Sequence, residues 1–178
     1  STWAKMKDNV TQTKVLDFAK EINHYGLPNS QIEIDETWEI HYGEHKFDTK
    51  KFPNVKDMVK QLHGLGFRVT LWNTPFVNPN CDNYKTDSKY LIKNKLNEVV
   101  TFKWWNGLGA HADFSDSEAR KWFVNRLEML KNETGIDSFK FDAGEVGWIN
   151  PDFEFSNHSV QQTPGVITQL YVETAAQL

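Results

Sequence analysis

The stretch Ser138-Phe139-Lys140-Phe141-Asp142-Ala143-Gly144-Glu145 decides the fold. Ile136 to Phe141 reads as a strand, its side chains alternating polar and apolar from Ser138 onward, and Asp142 follows its end. Successive strand side chains point to opposite sides, so Lys140 and Asp142 fall on one face. Upstream, Ser30 to Ile34 reads as another strand, ending at Asp35, with Glu33 and Asp35 sharing a face. A parallel sheet covered by helices on both sides carries near-continuous apolar runs, so these charged faces need a different setting. The interior of a (β/α)8 barrel near its C-terminal mouth provides one, because the active site sits there. Lys140 is then expected to neutralise Glu33 or Asp35 across the barrel, since buried charges need partners.

The rest of the chain alternates in the same way. Thr13 to Tyr25 reads as a helix with Val15, Phe18, Ala19 and Ile22 on one face and Gly26 as its stop. Asn54 to His63 reads as a second, with Val55, Met58, Val59 and Leu62 as its stripe, and Phe67 to Trp72 follows as a strand. A third helix is expected over Ser88 to Leu96, a hairpin arm over Asn97 to Phe102, and a weaker strand over Gly109 to Phe114. Ser115 and Glu118 have the spacing of a capping box, opening a helix that runs past Leu130 to Gly135. Residues 143–163 read as irregular, and Pro164 to Gln177 as a final helix. Strand–helix units of this size imply a parallel α/β sheet. The expected architecture is a partial (β/α)8 barrel of about four parallel strands alternating with helices. A doubly wound open sheet is the alternative, but no G-x-G-x-x-G or P-loop run supports nucleotide binding.

Composition narrows the function classes. The 178 residues suit one domain. Twenty Lys and Arg against 24 Asp and Glu, spread along the chain, give a net charge of −4 and no nucleic-acid footprint. No apolar run approaches the roughly 18 residues that span a bilayer. Cys81 stands alone, so no internal disulfide or cysteine metal cluster is expected. The opening Ser1-Thr2-Trp3 reads as mid-protein sequence. Three N-x-[ST] sequons, at Asn9, Asn132 and Asn157, lean toward the secretory pathway and toward N-glycosylation.

Three constellations carry chemistry. Asp142, at a strand end and followed by small residues, fits a nucleophile or base, although Asp-Ala-Gly also makes an ordinary turn. Asp35 ends a strand on the face of Glu33. With Asp113 and Asp142 it resembles a magnesium-holding carboxylate set, an alternative that no spacing demands. Lys103-Trp104-Trp105-Asn106-Gly107, joined by Trp72 and Trp148, offers indole planes for sugar C–H faces, or else simply pins a loop. His111 is the one histidine placed near the mouth. Carboxylates and aromatics at a barrel mouth point first to carbohydrate, and glycosidases work with a pair of carboxyl groups.

Gln31 to Asp35, Phe67 to Trp72, Lys103 to Gly107, Asp113-Phe114 with Glu118-Ala119-Arg120, and Phe139 to Glu145 together resemble glycoside hydrolase family 31. The likeness runs in order along nearly the whole chain. It implies a retaining α-glycosidase on a (β/α)8 barrel, α-galactosidase-like or α-glucosidase-like, with no metal or organic cofactor and an α-glycoside as partner. On this resemblance Asp142 matches the nucleophile, Asp35 a carboxylate that binds sugar hydroxyls, and Trp72, Trp104 and Trp105 aromatics of the pocket, with Lys140 and Asp113 as further substrate contacts. The family's acid/base Asp follows an Arg-Asp run that residues 1–178 lack. The chain is therefore expected to be the N-terminal half of the catalytic domain, inactive alone and prone to self-association through uncovered sheet edges. A glycosidase-like protein that binds sugar or a partner without cleaving is the alternative.

Overall fold

A computed structural model describes residues 1–163 and 165–178. The labelled elements, in chain order, are α1 (Gln12–His24), β1 (Gln31–Ile34), α2 (Val55–Gly64), β2 (Arg68–Asn73), β3 (Phe76–Val77), β4 (Phe102–Trp104), β5 (Gly107–His111), α3 (Ser117–Thr134), β6 (Ser138–Phe141) and α4 (Gly165–Ala175). The chain divides into two compact units. One comprises Ser1–Ile40, His45–Asn73 and Glu128–Lys140, and the other His41–Glu44, Thr74–Leu127 and Phe141–Leu178.

The first unit is built on the sheet β1-β2-β6. β1 and β2 run parallel in the register Gln31↔Arg68 to Ile34↔Leu71. One face of this sheet is apolar. Ile32, Ile34, Val69 and Leu71 are buried in a core with Val15, Leu16 and Ala19 of α1 and Met58, Val59 and Leu62 of α2, and Phe139 packs against it. Each such fully buried aliphatic contributes about 1.5–3 kcal/mol relative to exposure. Both helices start where a side chain replaces the missing backbone partner: Thr11 Oγ1 accepts from the Lys14 amide at 3.4 Å, and Asn54 Oδ1 from the Asp57 amide at 3.2 Å. The other face is polar and layered. Gln31 donates to Thr70 Oγ1, which lies 2.7 Å from Ser138 Oγ. One pleat further on come Glu33, Lys140 and Asp35.

The second unit holds the antiparallel sheet β3-β5-β4. Phe102↔Gly109 and Trp104↔Gly107 pair across the two-residue turn Trp105-Asn106. Gly107 closes that turn at φ +97°, a conformation that a side chain would strain.

Three local expectations are corrected. The strand expected over Gly109 to Phe114 begins at Gly107 and pairs antiparallel with β3 and β4 rather than parallel. The tight Trp105-Asn106 turn folds it back before a crossover helix could intervene. The helix expected over Ser88 to Leu96 stops at Tyr90, because Leu91 and Lys93 enter bridges with Ala112 and Val99. The cap of α3 is not Ser115. Asp116 Oδ1 accepts from the Glu118 amide at 2.9 Å, while Ser115 Oγ bonds Asp113. The final helix is described from Gly165, and its expected first residue, Pro164, lies outside the described residues.

Candidate active site

The polar face of the first unit places three charged side chains within reach of one another. Lys140 Nζ is 2.8 Å from Asp35 Oδ2 and 3.9 Å from Glu33 Oε1. The ion pair anticipated from strand alternation is therefore present, and Lys140 serves both acids. Asp35 is 4% exposed and densely bonded. Oδ1 accepts from the Glu36 amide at 3.0 Å, Oδ2 accepts from Ser1 Oγ at 3.2 Å, and its own amide donates to Thr2 Oγ1. Burial pushes the Asp35 carboxyl up, but the Lys140 ammonium, Glu33 and the Glu36 amide outweigh it and hold the group below its ordinary value. Asp35 is thus an ionised acceptor at neutral pH. Glu33 behaves oppositely. Burial, reinforced by the Asp35 charge, raises its carboxyl to about 7. Neither Glu33 oxygen has a hydrogen-bond donor among the described residues.

Trp72 lies at the end of β2 and is 1% exposed, with its carbonyl accepting from Trp38 Nε1 at 2.9 Å. Trp38 is itself wholly buried and was not singled out by the sequence; its place within an acidic run concealed it.

In the second unit, Asp142 follows directly on β6. Its Oδ1 accepts from the Ala143 amide at 2.9 Å, and its carbonyl accepts from the Tyr171 hydroxyl at 3.1 Å. Ala143 takes a left-handed φ of +58°, which turns the chain sharply after the acid. Gly144 is obligatory there: a Cβ would lie 2.1 Å from the Tyr171 ring. Burial, with the charges of Asp142 and Glu145, raises the Tyr171 phenol well above its usual value, so it stays a neutral donor. Asp142, Glu145 and Tyr171 line a groove of about 570 Å³ whose other wall is the Thr168–Ala176 side of α4. No sequence signal linked Tyr171 to Asp142, 29 residues away.

The aromatic set gathers around Phe76. Its ring lies 5.1 Å from Trp104, 5.7 Å from Trp148 and 5.0 Å from Phe102. Trp104 is buried, and its Nε1 donates to Asn78 Oδ1 at 3.1 Å. Asn78 in turn donates to the Asn106 carbonyl, pinning the turn. Trp105 is half exposed and lies edge-on to Trp148 at 5.3 Å. Of the Trp104-Trp105 pair, then, the first anchors and the second presents a surface.

Two expected members play other parts. Asp113 is 2% exposed and bonds protein groups with both oxygens: Oδ1 accepts from the Ser115 amide and hydroxyl, and Oδ2 from the Ser156 amide at 2.8 Å. It ties the 155–157 loop to the start of α3. His111 is fully buried between Phe76 and Phe114, and burial lowers it to about 4, so the neutral ring donates from Nδ1 to the Ala112 carbonyl. No group of three or more His, Cys, Asp or Glu among the described residues is arranged to hold a metal ion. Among the described residues no helix is long and apolar enough to cross a membrane.

Residues 1–175 match the model of the glycosyl hydrolases family 31 TIM-barrel domain. The chain is 40% identical to the myogenesis-regulating glycosidase of Mus musculus over 178 residues, which is 98% of this chain and 25% of that protein. Among solved structures, it superposes on the GH31 dextranase of Flavobacterium johnsoniae complexed with glucose (TM-score 0.83, 19% identity, 96% of this chain and 22% of that one). It also superposes on a GH31 α-xylosidase from a soil metagenome complexed with xylose (TM-score 0.80, 23% identity, 94% of this chain and 25% of that one). The chain therefore spans about a quarter of the length of these relatives.

Proposed function

The chain belongs to glycosyl hydrolase family 31, and on that premise we propose that the polypeptide carrying it is a retaining α-glycosidase acting on an α-galactoside or α-glucoside. The observation that supports this most is the Asp35–Lys140 pair on the polar face of the β1-β2-β6 sheet. A sheet that keeps an ionised carboxylate and an ammonium on one face is built to meet a polar ligand there. In the proposed mechanism Asp35 accepts hydrogen bonds from sugar hydroxyls, and Lys140 holds it ionised. Trp105 gives the apolar sugar face an exposed indole.

Asp142 attacks the anomeric carbon. The C–O bond to the leaving group breaks as an acid delivers a proton to that oxygen, and a glycosyl ester on Asp142 is left for water to hydrolyse. By family resemblance the acid lies outside residues 1–178, so residues 1–178 alone are proposed to lack turnover. Asn9, Asn132 and Asn157 are all exposed, which supports a glycosylated protein of the secretory pathway.

The test uses the full-length protein. Asp142→Asn is expected to abolish hydrolysis of the α-glycoside while leaving thermal unfolding nearly unchanged, and an activated fluoro-sugar is expected to label the peptide containing Asp142. Labelling of Glu145 or Asp113 instead overturns the assignment.

A further inference from the structure

Glu33 has no part in the mechanism above, yet its carboxylate lies beside the residues that do. The two carboxylates share one ammonium unequally: Lys140 Nζ sits 2.8 Å from Asp35 and 3.9 Å from Glu33. Asp35 has four bonding partners around it, whereas both Glu33 oxygens are buried without a donor. The Glu33 side chain is 12% exposed and that of Lys140 42%, so the acid is the more enclosed of the two. The groups facing Glu33 are Asp35 on its own strand, Lys140 on β6 and Ser1 of the N-terminal segment.

We propose that Glu33 is a positioning residue that decides which carboxylate Lys140 serves, and through Lys140 governs how firmly the Asp35 site grips a sugar. This rests on the functional reading above. With Glu33 protonated, its side chain is a neutral neighbour and the ammonium belongs to Asp35, as seen here. When Glu33 loses its proton, a desolvated anion without a donor of its own stands 3.9 Å from the amine. Lys140 is then drawn inward, and Asp35, which is to accept from the sugar, loses its shortest charge-assisted contact. The raised titration of Glu33 puts this exchange near neutrality.

The experiment measures KM and kcat for the full-length protein from pH 5 to 9 on the α-galactoside or α-glucoside it hydrolyses. Expected is a KM that is flat below about pH 6 and rises about fivefold to tenfold by pH 8, the scale of one weakened charge-assisted hydrogen bond, with no matching step in kcat. Glu33→Gln keeps the size but cannot ionise, so its KM is expected to stay at the low-pH value throughout. A purely structural Glu33 would change stability without removing the KM step.

The proposal is overturned if wild-type KM shows no step near neutral pH, a result that needs no variant, or if Glu33→Gln retains the step. If the wild type hydrolyses neither glycoside, the glycosidase reading fails. Calorimetric binding of galactose and glucose across the same pH range then tests Glu33 separately: affinity falling above about pH 6 in wild type alone supports it, and pH-independent binding or none overturns it.

Discussion

Arg126 joins three segments of the second unit, and its replacement by methionine gives a quantitative test. Its guanidinium donates to Asp87 Oδ2 at 2.6 Å, to the Glu44 carbonyl at 2.6 Å and to the Gly43 carbonyl at 3.2 Å, and it lies over the Trp122 ring. The Arg126 and Asp87 side chains are 19% and 17% exposed. That places the pair between an exposed ion pair, worth about 0–1 kcal/mol, and a buried one whose disruption costs about 3–5 kcal/mol. Asp87 keeps the Asn83 amide at 2.8 Å after the change, which lowers the cost. Methionine keeps most of the apolar stem, so packing loss is small. The expected destabilisation of Arg126→Met in the full-length protein is about 2–3 kcal/mol. Arg126→Lys keeps the charge but loses the planar fork, and should cost about half as much. Urea unfolding of both variants, with Asp87→Asn completing a double-mutant cycle, measures these values and the coupling, expected at about 1–2 kcal/mol. If Arg126→Met lies within 0.5 kcal/mol of wild type, a magnitude typical of uninvolved surface sites, the reasoning is wrong.

Further expectations concern other parts of the molecule. Gly144→Ala forces the Tyr171 ring aside and should cost about 1–3 kcal/mol, read by thermal unfolding. Asp137 accepts from the Val69 amide and pairs with His63. Burial opposes its ionisation, but these partners and Arg68 prevail and lower its carboxyl below the ordinary 3.8. Its contribution is therefore complete above about pH 4 and lost as pH falls through the lowered value. The Tm gap between wild type and Asp137→Asn should close between pH 4 and pH 2, and a constant gap contradicts the assignment. Residues 1–178, expressed alone, should hydrolyse neither α-galactosides nor α-glucosides and should self-associate in sedimentation. A stable, active monomer would place the acid/base within this sequence.

What the sequence made legible follows from periodicity. The alternation of Glu33-Ile34-Asp35 and of Phe139-Lys140-Phe141 was enough to assign a polar and an apolar face, because a pleated strand has only two sides. The stripes of α1 and α2 were equally plain. Contacts that join distant segments were not legible. Nothing local tells that Trp104 anchors through Asn78, that Tyr171 covers Gly144, or that Asp113 holds the 155–157 loop. Ser88 to Leu96 misled because its helix-compatible composition was overruled by bridges to Ala112 and Val99. The Ser115–Glu118 spacing misled because Asp113 captured the serine hydroxyl first.

The two-faced β1-β2-β6 sheet has a consequence for change over time. Ile32, Ile34, Val69 and Leu71 hold the fold together from one side, while Glu33, Asp35, Thr70 and Lys140 stand on the other. A one-residue slip of β1 would exchange the two sets, turning isoleucines toward the polar side and carboxylates into the packed core, so the register is self-correcting. Within that fixed register the polar-face positions are separate from the helix-side packing and can be rewritten one at a time. The sheet thus keeps the alphabet of its polar face apart from the alphabet of stability, and a lineage can rewrite the one without having to fold anew.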